Sequence, residues 1–455
     1  MHHRTPTRRA RAAFAAMLGV ALLAACGGGD DGVTSAPTSC TVADQNDFLG
    51  RYFDDWYFWY ALSPRPNPAA YASVAGYFDA LLYVGNDVNF PADRWSYSEP
   101  TVSFNRFYGD GESEGYGFSV NGLEVSGMPT QPLYVRHVEP QSDAAAQGMQ
   151  RGDRVLRMNG VDVAELIARD DFSLLTPPNP NASLLLQLSR NGVERDLTVT
   201  SRVYRLTPVR DAAVLTTPLG RKLGYVVVKD MISQALAPLD TTFASFRAQG
   251  VTELVLDLRY NGGGLVSVAG ALASYAGGAG AAGQPFASLL YNDKRAAAYN
   301  QTFRFANPAA AAALGLARVY VLTGRRTCSA SEQVINGLRG TGIDVVAIGD
   351  TTCGKPVGFL PQDDGCGTTY SVVNFESVNA RNEGRYFDGF DATCPVAEDW
   401  SKPLGASDEP LLAAARLHAD TGTCPVVAAR ETPLARRSLL RPKPEPGERS
   451  GMWAR

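Results

Sequence analysis

The spacing of apolar residues divides the chain into three patterns. Aromatic residues recur at helical spacing from Phe48 to Tyr60, and a second helix is predicted over 68–83. From 115 to 204 the pattern changes to short alternating strands, with Asn191-Gly192 as a type I′ hairpin turn between two of them. From 205 to 425 strands and helices alternate, which predicts an α/β core. We interpret the aromatic stripe as buried helix packing rather than as a substrate groove.

One strand-to-helix junction of this core carries a candidate nucleophile. Arg318 to Thr323 is an apolar run of strand type, Glu332 to Leu338 has a helical pattern, and Ser329 lies between them. The free N–H groups and the dipole at a helix N-terminus favour the negative charge that develops on an attacking serine. Ser329 is therefore the candidate nucleophile.

Lys355 is the candidate base, because histidines are few. His2 and His3 fall in an expected leader, His137 in the strand-rich region and His418 in a C-terminal helix, so no Ser-His-Asp triad is expected. Lys355 follows the apolar run at 345–348 and should project from the end of a buried strand. A lysine acts as a base only where burial lowers its pKa from ~10.4 toward ~7. A solvated loop lysine is the alternative.

A third segment ends in three glycines. The strand-like run from Glu253 continues to Gly262-Gly263-Gly264 and then into a helix-like segment, 265–275. Glycines at such a junction let backbone N–H groups approach a ligand closely, as an oxyanion hole requires. Taken alone, such a triplet is more often a flexible turn.

In this order, the three segments resemble the carboxyl-terminal processing peptidases, or tail-specific proteases, a family with a Ser-Lys dyad. The resemblance covers Phe48 to Ala419 and implies an α/β core of the crotonase- and ClpP-like ββα spiral type. One departure is Phe359, which stands where many members orient the lysine with a glutamine. The implied roles are nucleophile for Ser329, base for Lys355, oxyanion-hole N–H groups for Gly264 and Ser329, and supporting positions for Arg259, Glu332 and Thr352.

The strand-rich region resembles a PDZ domain that is inserted in, or precedes, the peptidase core. Its carboxylate-binding loop is Gly115-Tyr116-Gly117-Phe118, so the resemblance implies peptide binding at Tyr116, Gly117 and Phe118. The expected partners are polypeptide substrates with free C-termini. The alternative is a PDZ fold that serves only as a structural or regulatory lid.

The N-terminus has the pattern of a secretory leader. Arginines up to Arg11 precede an apolar segment that is too short to be a stable membrane span. The segment ends in Leu23-Ala24-Ala25-Cys26, which resembles a bacterial lipobox. This resemblance implies that Cys26 is lipidated. Because Gly27 follows it, the resemblance also implies that the protein is anchored in the outer membrane of a bacterial cell envelope and faces the periplasm. A soluble exported product is the alternative.

Charge and cysteine content narrow the classes of partner. The formal net charge is -4 for 455 residues, and it becomes -8 without the leader, since 38 basic residues then stand against 46 acidic ones. This argues against nucleic acid as a partner.

No cofactor is expected, and metal binding is the weaker explanation of the cysteines. Up to three disulfides are expected from Cys40, Cys328, Cys353, Cys366, Cys394 and Cys424, with Cys328–Cys353 and Cys353–Cys366 both permitted.

The sequence thus predicts an exported serine endopeptidase that recruits substrate C-termini through a PDZ domain. A non-catalytic peptide-binding protein on a degenerate peptidase fold is the alternative, motivated by Phe359. Acyl-CoA chemistry ranks below both because an exported chain rarely meets that cofactor. The oligomeric state stays open. The expected domains are a lipoprotein signal peptide (1–25), a flexible tether (26–39), a small helical N-terminal domain (40–108), the PDZ-like domain (109–204), the Ser/Lys peptidase domain (205–426) and a disordered tail (427–455).

Overall fold

Two helices at the start of the described chain bury the aromatic stripe. The computed structural model describes residues 34–121, 132–426, 449 and 451–454, so the leader and Cys26 lie outside the described residues. Phe48, Tyr52, Phe53 and Trp56 are buried in the main core, which the sequence interpretation expected. The elements of this region are α1 (Val42–Trp56), α2 (Val74–Leu81), β1 (Tyr97–Pro100) and α3 (Thr101–Asn105).

The strand-rich region has a hydrophobic core of its own, built from alternate residues of its strands. Asn191 and Gly192 both have positive φ, as the predicted type I′ turn requires, and join the last two strands of a four-stranded sheet. The elements are β2 (Glu112–Gly115), β3 (Phe118–Val120), β4 (Val135–Val138), α4 (Asp143–Ala146), β5 (Arg154–Met158), β6 (Val161–Asp162), α5 (Val163–Arg169), β7 (Ser183–Arg190), β8 (Val193–Thr200) and β9 (Arg202–Arg205).

The remaining elements form the α/β core. Its strands are β10 (Val209–Thr216), β11 (Lys222–Val228), β12 (Glu253–Asp257), β13 (Gly263–Leu265), β14 (Pro285–Tyr291), β15 (Gln301–Arg304), β16 (Arg318–Thr323), β17 (Asp344–Gly349), β18 (Val357–Phe359), β19 (Gln362–Asp363), β20 (Thr368–Ser371), β21 (Val373–Val378), β22 (Cys394–Pro395) and β23 (Gly451–Trp453). Its helices are α6 (Leu236–Ala248), α7 (Val266–Ala281), α8 (Ala296–Tyr299), α9 (Ala330–Gly340) and α10 (Pro410–Thr421). Among the residues described, no helix is both long and apolar enough to cross a bilayer.

Two six-stranded sheets organise this core. One has the order β10-β11-β12-β16-β17-β22 and is parallel from β11 onward; the other has the order β13-β23-β18-β21-β14-β15. Helix α9 contacts strands of both sheets, so its N-terminus lies where the carboxyl ends of β12 and β16 meet β13. Parallel sheets place their sites at the carboxyl ends of the strands.

The expected disordered tail is wrong for the part that the structure describes. Gly451 to Trp453 forms β23, which pairs in parallel with β13 on one side and β18 on the other. Met452 is fully buried and Trp453 is 1% exposed. Disorder was predicted from the proline- and arginine-rich composition. The short strand is stabilised by pairing with its neighbouring strands, which local periodicity does not report. Residues 427–448, 450 and 455 lie outside the described residues.

Three disulfides use the six described cysteines. The bridges are Cys40–Cys366, Cys328–Cys353 and Cys394–Cys424. Of the two pairings left open for Cys353, the one with Cys328 is formed. It joins the segment before Ser329 to the segment before Lys355.

Candidate active site

Ser329 lies at the N-terminal end of α9, in the turn that follows β16. Its φ of 61° is unusual for a residue other than glycine, and such strained turns between a strand and a helix expose a nucleophile at the edge of a sheet. The residue is fully buried, and its Oγ has no hydrogen-bond partner among the described residues. The predicted strand-turn-helix setting of Ser329 is therefore present.

The buried carboxylate of Glu332 joins the Ser329 turn to the Lys355 loop. Its Oε2 accepts hydrogen bonds from the backbone N–H groups of Ser329 (2.9 Å) and Lys355 (2.8 Å). Its Oε1 accepts from the N–H of Gly354 (2.8 Å) and from the hydroxyl of Thr352 (2.6 Å). Burial raises the pKa of Glu332, and these four bonds oppose that shift. One side chain thus fixes the backbones of Ser329 and Lys355 relative to each other.

Lys355 is fully buried, as a neutral base would be. Burial lowers the pKa of Lys355 to about 7, although the negative charges of Asp93 and Glu332 act in the opposite direction. Its Nζ lies 4.0 Å from the centroid of the Phe359 ring. Phe359 therefore contacts the amine from the position at which many members of the resembled family have a glutamine.

The two candidate side chains are not hydrogen-bonded to each other in this conformation. Ser329 Oγ makes no hydrogen bond with a described residue, while the amine of Lys355 faces an aromatic ring. Both residues are buried and tied to the same carboxylate. Catalytic hydrogen bonds are often loose before substrate binds and tighten in the complex.

Asn261, for which no role was predicted from the sequence, shapes the glycine turn. Its side chain donates to the Val228 carbonyl (2.8 Å) and accepts from the Gly263 N–H (2.7 Å). Its carbonyl accepts from the Cys328 N–H (3.1 Å) and the Ser331 hydroxyl (3.0 Å). Its place directly before the glycine triplet was the available signal. Asn261 holds the triplet against the Ser329 turn.

The expected oxyanion hole needs one correction. The N–H of Ser329 donates to Glu332 and is not directed at a substrate oxygen. The nitrogen of the next residue, Ala330, lies beside the glycine turn: a Cβ built on Gly263 would stand 2.9 Å from it. Ala330 is the first residue of α9, so its N–H has no acceptor within the helix. Ala330 replaces Ser329 as the candidate donor beside Gly264.

Arg259 bonds to carboxylates other than that of Glu332. Its guanidinium is buried and pairs with Asp257 (2.9 Å) and, through two nitrogens, with Glu409 at the start of α10 (2.8 and 3.0 Å). Thr352, in contrast, touches the Glu332 carboxylate directly. Arg259 therefore anchors the end of β12 to the closing helix.

The predicted carboxylate-binding loop lines a cavity between the strand-rich region and the core. Tyr116, Gly117 and Phe118 border this cavity, whose volume is about 690 Å³. Gly117 has a φ of 83°, and a Cβ there would collide with Ser142. Strand β3 pairs only with β4 among the described strands, so its other edge can accept an added peptide strand.

Three protein-family models match the chain in succession. The Peptidase S41 N-terminal domain matches residues 44–97, the PDZ domain 107–187, and Peptidase family S41 222–383. A carboxyl-terminal-processing protease of Picosynechococcus is 25% identical over 260 residues, which cover 56% of this chain and 59% of the relative. One of Synechocystis is 26% identical over 260 residues, covering 56% and 58%. The chain spans a little over half the length of these curated relatives.

Solved structures agree with the fold. A Bacteroides fragilis protein described as an S41 protease superposes with a TM-score of 0.66 at 27% identity, covering 83% of this chain and 97% of that one. The photosystem II D1 C-terminal processing protease gives 0.50 at 20% identity, covering 82% and 100%, which concerns the fold alone. The molecule is thus an S41-type peptidase fold with a PDZ domain and a helical N-terminal region, as predicted. In sequence, the chain is similar to the carboxyl-terminal processing peptidases, and its peptidase, PDZ and N-terminal segments each match the corresponding family model.

Proposed function

We propose that this protein is a serine endopeptidase in which Ser329 attacks the scissile carbonyl and Lys355 accepts and then returns the proton. The single observation that supports it best is the Glu332 carboxylate, which binds the backbone N–H groups of both residues. A lysine base must also be uncharged. Burial meets this requirement, since a lysine with a pKa of about 7 is half uncharged at neutral pH. A movement of the Lys355 side chain from the Phe359 ring toward Ser329 Oγ completes the dyad.

The N–H groups of Ala330 and Gly264 stabilise the oxyanion in this mechanism. Ala330 contributes the partial positive charge of the α9 N-terminus, and Gly264 belongs to the turn that Asn261 fixes. The loop at Tyr116, Gly117 and Phe118 recruits the C-terminus of the substrate polypeptide, and the cavity beside it supports this role.

The test compares hydrolysis of an unstructured protein by four chains. Ser329→Ala and Lys355→Met abolish cleavage, whereas Lys402→Met, which removes a half-exposed lysine, leaves it unchanged. A fluorophosphonate probe labels Ser329 and not Ser331, whose hydroxyl is bonded to Asn261. Equal cleavage by all four chains, or labelling at Ser331, contradicts the proposal. Peptide binding without labelling at Ser329 indicates a non-catalytic receptor instead.

We further propose that the protein is exported and anchored to the membrane by lipid on Cys26, facing the periplasm from the outer membrane. The support is the lipobox-like Leu23-Ala24-Ala25-Cys26 sequence, and three disulfides suit an oxidising compartment. Metabolic labelling with a fatty-acid analogue marks the wild type and not Cys26→Ser. Equal labelling of both chains refutes the anchor.

A further inference from the structure

The groove between β13 and β18 is flanked by the candidate catalytic segments. Strand β13 contains Gly263 and Gly264, and β18 begins two residues after Lys355. These two strands do not pair with each other; β23 lies between them and pairs with both. A gap one strand wide with a backbone edge on each side is a binding site for an extended polypeptide.

The backbone of β23 is placed as a bound substrate backbone would be. Gly451 N–H donates to the Gly262 carbonyl (3.0 Å), and the register sets the Gly451 carbonyl opposite the Gly264 N–H. A Cβ on Gly263 would collide with the same Gly451 oxygen and stand 2.9 Å from the Ala330 nitrogen. The Gly451 carbonyl therefore lies opposite the Gly264 N–H and on the side of Gly263 that also faces the Ala330 nitrogen.

The side chains of β23 fill the groove. Trp453 packs against Phe359, Phe104 and Tyr108, with ring centroids 5.1, 5.4 and 4.9 Å apart. Because Phe359 also contacts the Lys355 amine, the segment touches the same aromatic ring as the candidate base. A polypeptide cannot enter the groove while Met452 and Trp453 are buried in it.

A salt bridge fixes the segment at the mouth of the groove. Arg449 pairs with Glu99 (2.6 Å), donates to the Ser103 carbonyl (3.2 Å) and lies over the Phe107 ring (4.4 Å). Arg449 also borders the cavity that contains Gly117 and Phe118. The segment thus enters the groove from the side where the PDZ loop would deliver a substrate.

We propose that the described part of the C-terminal segment, Arg449 and residues 451–454, is an intramolecular occupant of the substrate groove, which excludes polypeptides until the segment leaves. Inhibition of cleavage by this segment rests on the proposed function. Occupancy of the groove concerns binding alone and does not depend on hydrolysis. A segment that fills the groove ~90% of the time already weakens the apparent affinity for a competing polypeptide about tenfold.

The test measures binding on the Ser329→Ala background, so that no result depends on hydrolysis. Fluorescence anisotropy follows a labelled unstructured polypeptide added to the full chain and to a chain ending at residue 426. We expect binding about tenfold tighter after truncation, and competition by a synthetic peptide with the sequence of 449–455. In the full chain, Trp453→Ala and Arg449→Ala release the segment partly, while Trp400→Ala and Arg385→Ala serve as matched controls outside the groove.

Equal affinity in the full chain, the truncated chain and both release variants overturns the proposal. Circular dichroism and retention of the three disulfides show whether the truncated chain folds; if it does not, the two point variants decide. With Ser329 restored, absence of cleavage by the released chains, despite tighter binding, refutes the hydrolytic function and leaves the occupancy standing.

Discussion

At the scale of single residues, the requirement for this chemistry is an amine that loses its charge near neutral pH. Moving the pKa of Lys355 from 10.5 to about 7 corresponds to ~5 kcal/mol of differential stabilisation of the neutral form. Burial is the cause, and the nearby carboxylates of Asp93 and Glu332 resist it. The Phe359 ring also favours the charged amine, because the face of an aromatic ring attracts a cation.

The first prediction concerns pH. Lys355 acts as a base only when deprotonated, so kcat/KM for a fluorogenic peptide should rise with pH, about tenfold per unit below an inflection near 7, and level off above it. Replacing His137 or His418 by glutamine should leave the inflection in place. Phe359→Leu removes the attraction between ring and cation and should move it to lower pH. A profile that falls as pH rises through 7 contradicts a lysine base.

At the scale of elements, the strand-turn-helix units around the site were predictable from the sequence. The run at 318–323 is β16 as predicted, the helix after Ser329 is α9, and the run at 345–348 lies within β17. Each of these elements is long enough to show its own periodicity, and each is bounded by polar or glycine residues. Local pattern and tertiary structure therefore agree there.

Two features of the site depend on contacts that local sequence does not encode. The direction of the Ser329 N–H toward Glu332 follows from the positive φ at Ser329, which apolar periodicity does not report. Strand β23 is three residues long and gains its place from β13 and β18, which lie far earlier in the chain. Strand propensity is largely a matter of such neighbours, so a composition rich in proline and arginine gave no sign of it.

The second prediction concerns the Glu332 carboxylate, which joins α9 to the loop after β17. Glu332→Gln replaces one acceptor oxygen by an NH2 group that faces backbone donors, so at least one buried N–H loses its partner at a cost of about 1–3 kcal/mol. We expect a lower melting temperature and a large loss of kcat in the same variant. Glu376→Gln, which breaks an ion pair with the half-exposed Arg385, should change neither by much. Full activity in Glu332→Gln would show that the carboxylate does not set the dyad.

At the scale of the whole molecule, a partly buried polar network connects the PDZ region to the glycine turn. Arg151 pairs with Glu398 (2.7 Å), donates to the Lys402 carbonyl (2.9 Å) and bonds to the Tyr260 hydroxyl. Glu398 also accepts from Tyr260 and lies 3.3 Å from Arg259. Since Tyr260 directly precedes Asn261, the orientation of the PDZ region and the geometry of the oxyanion turn share one set of contacts.

The third prediction tests this connection. Arg151→Ala removes one of the two cationic partners of the partly buried Glu398 carboxylate, which keeps its contact with Arg259. Because the loss falls beside Tyr260, we expect kcat to fall several-fold while the affinity of a C-terminal peptide for the PDZ loop, measured by anisotropy, stays the same. Arg154→Ala, at an exposed position of β5, is the matched control and should alter neither quantity.

A double-mutant cycle of Arg151→Ala with Glu398→Gln should show strong coupling in kcat, because both substitutions break the same contact. Additive effects would mean that the network is structural and carries no influence from the PDZ region to the site.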